Sequence, residues 1–309
     1  MKIVYKELSS IEADLGYSAH MLYALSNSIA KHYRSVSIPK HDGTSRTLSI
    51  PDAPLKAVQR RIASVILPLL PISQYATAYR CRGGIVANAS PHRGKDKILK
   101  LDIYRFFDSI MYSAVKDRVF TRDRFSEPIR VLLSILCYYD DRLPQGAPTS
   151  PAISNIIMRE FDDAVGKWCS RRGITYTRYC DDMTFSGDFN AARVVAFVRR
   201  RLKKYGFLLN DKKTHVARYF NKQVVTGIVV NRKLNVPSSY RRKIRQEMYF
   251  CRKHGIEEHL KFIHDPTPPQ EYIRRLLGRV GYVLSVSPDD GEFRKYRDFL
   301  RRALAQESE

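Results

Sequence analysis

RYCDDMTFSG, residues 178–187, is the stretch that decides the fold. Two adjacent aspartates, Asp181 and Asp182, lie between apolar and aromatic residues, and the surrounding ITYTRYCDDMTFSGD has the pattern of a hairpin with the aspartates at its tip. A buried carboxylate is costly unless a partner compensates its charge. The hairpin therefore predicts that the pair meets such a partner.

The charge composition points to a polyanionic partner. The 309-residue chain carries 54 Lys and Arg against 31 Asp and Glu, a formal net charge of +23. Each neutralised phosphate releases counterions and so favours binding, although a basic protein without such a partner has the same composition. With 44% hydrophobic residues, the length suits about two domain-sized units or one multi-lobed enzyme core.

Cysteine spacing and apolar runs argue against several classes of protein. None of the five cysteines belongs to a CxxC pair, so neither a zinc site nor a disulfide framework is indicated. The N-terminus lacks the apolar core of a signal peptide, and the longest apolar run, IASVILPLLPI at 62–72, is too short for a membrane span. We expect a cytoplasmic protein with no membrane partner.

Hydrophobic periodicity predicts an α+β chain. Helices are expected near 18–31, 55–70, 126–139, 150–173 and 190–206, and through most of the tail from 236 to 309. Strands are expected in a hairpin over 38–51, at 97–107, in the aspartate hairpin, at 207–211 and at 223–231. Ser150 is the expected N-cap of its helix. From residue 98 the order β, α, α, ββ, α, β is close to a split βαβ sheet with helices on one face.

A third acid is expected beside the hairpin tip. Asp102 lies near the end of strand 97–107, which neighbours the hairpin in such a sheet, and Asp108 follows shortly after. Adjacent carboxylates repel one another, and Mg²⁺ prefers one or two carboxylates plus the phosphates of its substrate. Two such ions clamp the attacking and leaving oxygens of a phosphoryl transfer. An Asp-Asp pair alone is more typical of a solvated turn, but the joint pattern favours a metal site.

The motifs together resemble those of reverse transcriptases. YCDD at 179–182 resembles their YxDD box. LDIYRFFDSI resembles their first palm motif, LPQGAPTSPAISN the second and GFLLNDKKT the fourth. Two further boxes, NAxxH and VTG, mark retron reverse transcriptases and are resembled by NASPH at 88–92 and VTG at 225–227. The resemblance covers residues 38–237, and Cys180 is its one departure, since alanine is commoner there.

The resemblance implies a right-hand polymerase architecture. Residues 1–97 would form the fingers with the N-terminal helices. Residues 98–235 would form a split βαβ, RRM-like palm that carries the catalytic carboxylates. Residues 236–309 would form a basic helical thumb.

It also implies roles for individual residues. Asp102 and Asp181 would bridge two Mg²⁺ ions, which Mn²⁺ can replace, with Asp182 in support and Lys213 as a candidate acid for the leaving pyrophosphate. Phe107 would be the steric gate that crowds a ribose 2′-hydroxyl and so favours dNTPs. The complete predicted dNTP-binding set is Lys40, Arg46, Phe107, Gln145 and Gly146.

RNA contacts are expected in two places. Asn88 and His92 resemble retron-specific RNA contacts, although a hydrogen-bonded histidine in a turn capped by Asn and Pro has the same local sequence. The basic tail suits nucleic-acid phosphates or a solvated face, through Arg241, Arg242, Lys243, Arg245, Arg274 and Arg275. The aromatic residues between them suit base stacking or core packing, namely Tyr240, Tyr249, Phe250 and Tyr272.

The retron resemblance implies an unusual substrate. Such enzymes use dNTPs to copy part of a cognate non-coding RNA of the msr–msd type, starting from a guanosine 2′-hydroxyl, and so make branched msDNA. They resemble parts of anti-phage complexes with a separate effector protein. A group-II-intron-like or CRISPR-associated reverse transcriptase, or a catalytically idle RNA-binding scaffold or antitoxin, are the alternatives. The small size, NASPH, VTG and the three aspartates argue against them.

Overall fold

The computed structural model describes residues 4–39, 43 and 45–306. Lys40, one of the predicted triphosphate contacts, lies outside the described residues. The α-helices are α1 Leu8–Leu15, α2 Ala19–Asn27, α3 Ala53–Arg61, α4 Ile85–Ala89, α5 Tyr112–Ala114, α6 Glu127–Leu136, α7 Ser150–Ile157, α8 Arg159–Ser170, α9 Ala191–Lys204, α10 Ser238–His254, α11 Ile256–Phe262, α12 Pro269–Val286 and α13 Gly291–Gln306. The strands are β1 Tyr33–Pro39, β2 Ser45–Pro51, β3 Lys97–Tyr104, β4 Thr175–Tyr179, β5 Asp182–Ser186, β6 Leu208–Leu209, β7 His215–Arg218, β8 Val224–Val225 and β9 Ile228–Val229.

A five-stranded sheet carries the predicted aspartates. Its order is β4-β5-β3-β6, with β7 also paired to β3, which is the order of a split βαβ sheet. The helices α8 and α9 pack together through Trp168 and Phe197, whose rings stack at 4.1 Å and 11°. Trp168 is half-buried in this helix contact. The predicted α+β fold is confirmed, because strands, helices and their order agree with the sequence pattern.

The helix predicted over 150–173 is two helices. α7 ends at Ile157 and α8 begins at Arg159, although no glycine or proline marks the break at Met158. Ser150 is also not the N-cap. It is the first helical residue after Thr149, and its hydroxyl donates to the Pro144 carbonyl at 2.7 Å, which ties the preceding loop to the helix.

The segment QVVTGIVVN is a hairpin, not the single strand that its apolar residues predict. β8 pairs antiparallel with β9, and the two residues between them, Thr226 and Gly227, have φ angles of 45° and 82°. Two positive φ angles in a two-residue loop are typical of a type I′ turn, which matches the twist of the strands it joins. The strand β7 is a further element that the sequence pattern did not predict.

The hairpin predicted over 38–51 is present and longer than expected. β1 and β2 pair antiparallel from Tyr33 opposite Pro51 to Pro39 opposite Ser45. β2 leads directly into α3, whose first turn is capped by Asp52, because its carboxylate accepts from the Leu55 amide at 3.1 Å. The hairpin is therefore anchored at its base by a capped helix.

The chain forms two compact units. The first contains the described residues up to 84 together with 99–216, and the second contains 85–98 together with the described residues from 217 onward. Each has its own apolar core, built around Leu99, Phe161 and Phe185 in the first unit and around Tyr272 and Phe293 in the second. Residues 85–97, expected in the fingers, thus pack with the C-terminal helices. The division into fingers, palm and thumb stays a prediction.

None of the described helices has both the length and the apolar composition needed to span a bilayer.

Candidate active site

The hairpin tip presents two carboxylates on a strained turn. Tyr179 pairs with Asp182 across β4 and β5, so Cys180 and Asp181 are the two turn residues. Cys180 has a φ of 59°, a left-handed conformation that costs a residue with a side chain about 1 kcal/mol or more. Cys180 is 7% exposed, whereas Asp181 and Asp182 are half-buried. The surrounding fold must hold this turn in place.

Asp102 lies beside this tip, as predicted. The Ile103 amide donates to the Asp181 carbonyl at 3.1 Å, which joins the end of β3 to the turn. Residues far apart in the sequence are thus neighbours in one sheet, because β3 lies next to β5. The expected meeting of the first-strand acid with the hairpin acids is confirmed.

Asp102 is buried and has two side-chain partners. Lys213 donates through Nζ to its Oδ2 at 2.8 Å, and Asn210 donates through Nδ2 to its Oδ1 at 3.0 Å. The backbone amide of Asn210 also donates to the backbone carbonyl of Asp102 at 2.8 Å. The side chain of Asp102 is 5% exposed and that of Lys213 is 61% exposed. Lys213 therefore reaches from the surface into the carboxylate cluster.

The carboxylates destabilise one another's charged forms. Burial, and after it the negative charge of Asp102, raises the pKa of Asp181. Burial and the charge of Asp181 raise the pKa of Asp182 in the same way. The hydrogen bond to Asp102 raises the pKa of Lys213, so this amine stays protonated at neutral pH. Lys213 and Lys100 both lower the pKa of Asp182, but two lysines against three acids still leave net negative charge at the tip.

The donor set fits a divalent cation by its chemistry. All three acids offer oxygen, the ligand atom that Mg²⁺ prefers, and their mutual repulsion is what a cation relieves. Among the described residues no three acidic, histidine or cysteine side chains are already arranged around a metal position. Lys213 instead neutralises Asp102. Each carboxylate oxygen has a further lone pair for a cation while Lys213 stays beside Asp102.

Asp108, the fourth acid of this region, is engaged differently. Gln145 donates to its Oδ1 at 3.4 Å, and Arg105 donates to its Oδ2 at 3.4 Å. Its partners are thus a predicted dNTP-binding residue and an exposed arginine. This arrangement links the turn after β3 to the loop before α7.

The loop before α7 contacts the β1–β2 hairpin closely. The Ser49 amide donates to the Gln145 carbonyl at 2.9 Å. Gly146 has a φ of 125°, and a Cβ on it would lie 2.8 Å from the Ser49 carbonyl oxygen, so only glycine fits. Arg46 is exposed on the same strand as Ser49, and Phe107 is half-buried with its carbonyl accepting from Leu143 at 3.2 Å. The structure thus joins Gln145 and Gly146 to the strand that carries Arg46.

A buried charge network that the sequence analysis missed contacts the Cys180–Asp181 turn. Arg178 and Asp162 are 0% exposed and form a bidentate ion pair, with Arg178 Nη2 2.6 Å from one carboxylate oxygen and Nε 2.8 Å from the other. Tyr176 donates to the same carboxylate at 2.8 Å. Arg178 Nη1 donates to the Cys180 carbonyl at 2.8 Å, and Nη2 to the Asn155 side chain at 3.2 Å. The guanidinium thereby holds the strained turn from below.

The same network fixes a neighbouring exposed tyrosine. Asn155 donates to the Ala78 carbonyl at 2.7 Å, and the Thr77 amide donates to the Arg178 carbonyl at 2.8 Å. Tyr79, which follows Ala78 in the chain, is 48% exposed, and its ring centroid lies 6.4 Å from that of Tyr179. In the sequence, a charged residue between apolar and aromatic ones could have indicated that Arg178 is buried. No sequence feature indicated its partner Asp162.

The two boxes typical of retrons meet in the second unit. Thr226 of the VTG turn donates to the Ile85 carbonyl at 3.0 Å, and Asn88 lies 3.5 Å from the same hydroxyl. Asn88 and His92 are both 0% exposed. Burial, with a smaller effect of the Lys95 charge, lowers the pKa of His92 to about 3, so it is neutral. This burial argues against the predicted direct RNA contacts of Asn88 and His92 and for a packing role.

The predicted RNA-binding arginines of the tail divide into two groups. Arg241 is mostly buried and pairs with Asp290 at 2.6 Å, and Arg245 pairs with Glu292 at 2.7 Å. Arg275 pairs with Asp265 at 2.7 Å. Arg245 and Arg275 are nevertheless exposed, as are the other three basic residues of the set, namely Arg242, Lys243 and Arg274. Exposed residues suit phosphate contacts, whereas Arg241 is placed to join α10 to the start of α13.

Known proteins resemble this chain over most of its length. Residues 38–259 match the family described as reverse transcriptase (RNA-dependent DNA polymerase). Retron Mx65 reverse transcriptase of Myxococcus xanthus is 31% identical over 94% of this chain and 70% of its own length. Retron Mx162 reverse transcriptase of the same organism is 31% identical over 98% of this chain and 68% of its own length. Retron Ec86 reverse transcriptase of Escherichia coli is 31% identical over 74% of this chain and 73% of its own length.

A solved structure of telomerase from Candida albicans in complex with a TWJ fragment of telomeric RNA is a more distant match. It has a TM-score of 0.48 and 11% identity, over 88% of this chain and 59% of that chain, which is too remote to carry an argument.

The chain therefore belongs to the reverse transcriptases and, among them, to the retron reverse transcriptases. It has the reverse transcriptase fold and is an RNA-directed DNA polymerase. Enzymes of this family use divalent metal, and the acids at the hairpin tip are the oxygen donors available for it. The family resemblance drawn from the YxDD, NAxxH and VTG boxes is confirmed.

Proposed function

We propose that this polymerase copies part of a cognate structured non-coding RNA of the msr–msd type into single-stranded DNA. Synthesis would start from a guanosine 2′-hydroxyl of that RNA, so that the product is a branched RNA–DNA molecule, msDNA. The observation that carries the proposal is the convergence of Asp102 with the Asp181–Asp182 turn in one sheet. Sequence identity to several retron relatives supports the choice of template.

The chemistry proposed is transfer of a nucleotidyl group. The attacking hydroxyl gives its proton to solvent and its oxygen bonds to the α-phosphorus of a dNTP. The bond from that phosphorus to the oxygen bridging to the β-phosphate breaks, and pyrophosphate leaves. Asp102, Asp181 and Asp182 would hold two Mg²⁺ ions, or Mn²⁺ in their place, and the bound cations would neutralise the attacking and leaving oxygens. Lys213 stays protonated beside Asp102 and is a candidate proton donor to the pyrophosphate.

The dNTP pocket would be formed by the loop before α7 and the β1–β2 hairpin. Gly146 allows the backbone of that loop to approach Ser49 closely, and exposed Arg46 on the same hairpin would contact the triphosphate. Phe107 would crowd a ribose 2′-hydroxyl. Lys40 remains a candidate on sequence grounds alone.

The partners proposed are the cognate RNA, its DNA product, dNTPs and a separate effector protein encoded nearby. In this setting the enzyme would act in the cytoplasm as part of an anti-phage complex. The exposed basic residues of α10 and α12 support RNA binding, because phosphate contacts favour unpaired surface cations.

The test is to express the chain with its neighbouring non-coding region and to recover the nucleic acid that copurifies with the protein. We expect a small DNA joined to RNA, whose mobility changes after RNase treatment and after cleavage by a 2′–5′ debranching enzyme. The double variant Asp181→Ala, Asp182→Ala should retain the RNA and yield no DNA. Linear DNA primed from a 3′-hydroxyl, or normal DNA from the double variant, would contradict the proposal.

A further inference from the structure

Two adjoining cavities in the second unit lie where α10 meets α11. One, of about 570 Å³, is lined by Phe250, His254, Glu258, His259, Lys261 and Phe262. The other, of about 400 Å³, shares Phe250, His259 and Phe262 and adds residues that include Tyr272 and Arg275. We call the two cavities together the His259 pocket.

The central polar residue of this pocket lacks a partner. His259 is 4% exposed, and neither of its ring nitrogens has a hydrogen-bond partner among the described residues. Buried polar groups are nearly always hydrogen-bonded in folded proteins. A neutral imidazole offers one donor and one acceptor. The pocket therefore lacks a polar group that could accept from the one nitrogen or donate to the other.

The walls of the pocket are flat aromatic rings. The Phe250 ring is within 5° of parallel to the His259 ring, with centroids 5.7 Å apart. It is within 27° of parallel to the Phe262 ring, at 6.3 Å. Phe262 is 76% exposed at the mouth, more than any other large hydrophobic side chain among the described residues. Rings arranged in this way suit a planar heterocycle that stacks on Phe262.

The surroundings attract an anion. α10 carries six lysine and arginine residues, of which Arg241 and Arg245 are paired with acids at the start of α13. Its single acid, Glu247, is paired with Arg279 at 2.6 Å. At the mouth, Lys261 pairs with Glu258 at 2.7 Å, but the two side chains are 69% and 63% exposed. Such an exposed pair is weak and exchanges readily for another partner. Lys261 is therefore available to a phosphate beside the ring that enters the pocket.

We propose that the His259 pocket binds an unpaired base of single-stranded RNA. A nucleobase combines a planar ring with an edge that both donates and accepts, and its backbone supplies the anion that the basic helix favours. The base stacks on Phe262 and Phe250, rotation of the exposed Phe262 ring opens the way to His259, and the adjacent phosphate meets Lys261. The choice of RNA as the polymer rests on the proposed function.

The test uses the full chain, freed of bound nucleic acid by a high-salt wash. Fluorescence anisotropy measures its affinity for labelled single-stranded RNAs of about 12 nucleotides, uridine or adenosine only, and for an RNA duplex of the same length. Phe262→Ala should weaken single-strand binding about tenfold and leave duplex binding within about twofold. Phe220→Ala, which removes a 65% exposed aromatic outside the pocket, is the matched control and should change neither.

His259→Phe keeps the ring but removes both nitrogens. It should melt at the wild-type temperature or above, because no buried polar atom is left unpaired, while the ratio of adenosine to uridine affinity moves toward one. Wild-type single-strand affinity in both Phe262→Ala and His259→Phe would overturn the proposal. So would loss of a copurifying protein with unchanged RNA affinity, which would make the pocket a protein-docking surface. Primer extension by the wild type, measured separately, shows whether the proposed function fails instead.

Discussion

Removing the buried arginine under the catalytic turn should separate stability from catalysis. In Arg178→Met the carboxylate of Asp162 stays fully buried and loses its three guanidinium hydrogen bonds. Breaking a buried ion pair from one side costs about 3–5 kcal/mol. For a chain of this size we expect the melting temperature to fall by about 10 °C, measured by differential scanning calorimetry.

The double variant Arg178→Met, Asp162→Leu tests the positional role. Replacing both partners removes the unpaired buried charge. The buried Tyr176 hydroxyl and Asn155 side chain lose their partners as well, so the melting temperature should recover only part of the loss. The Cys180 carbonyl still lacks the donor that it has at 2.8 Å in the wild type. Loss of a charged hydrogen bond of about 1.5–3 kcal/mol predicts a fall in kcat of about 10- to 100-fold.

Steady-state incorporation of one dNTP on a primed RNA template gives the measurement. The fall should appear in kcat more than in KM, because the network touches the turn and not the dNTP. Arg199→Met, which breaks an exposed pair with Asp211, is the stability control and should cost less than about 1 kcal/mol. Wild-type kcat in the refolded double variant would refute the positional role. Wild-type melting in Arg178→Met would refute the argument from burial.

Three further outcomes follow from single residues. The pKa of His92 lies at about 3 in the folded chain against an ordinary value near 6.5, so its stabilising effect is complete above pH 6.5 and lost as pH falls toward 3. Chemical denaturation should therefore show that the free energy of unfolding falls about 2 kcal/mol less in His92→Gln than in wild type between pH 8 and pH 5. An equal fall in both proteins would contradict this. Gly146→Ala should abolish dNTP incorporation through its contact with Ser49, whereas Gly173→Ala, with a φ of 66° and open space, should cost only about 1 kcal/mol in a melting assay. Phe107→Val should raise rNTP relative to dNTP incorporation at least about tenfold in the same extension assay, and an unchanged ratio would exclude it as the gate.

The sequence predicted those parts of the fold that local patterns encode. The periodic helix α9, the hairpin β4–β5 and the order of the central sheet agree with it, because apolar spacing and turn residues are local signals. The approach of Asp102 to the hairpin followed from the sheet order alone. The Thr226–Gly227 turn carried a signal too, but the apolar run around it hid the change of direction.

What the sequence left open depends on partners distant in the chain. Arg241 pairs with Asp290, and Arg178 pairs with Asp162. No local pattern names such a partner, since the choice is made by packing. The burial of His92 is of the same kind, because the same short motif suits an exposed turn and a packed interior. Charged and polar residues were therefore recognised as candidates, but their exposure was not predicted.

The most direct test of the central claim is extension of a labelled DNA primer on an RNA template by wild type and by Asp181→Asn, with Mg²⁺ and with excess chelator. Wild type should extend the primer only when divalent metal is present. Asp181→Asn should melt no lower than wild type, because it removes a repelled charge, and should lose more activity than the roughly 10- to 100-fold cost of an outer-shell change. Wild-type extension by Asp181→Asn, or extension in chelator, would contradict the claim that these acids form the polymerase centre.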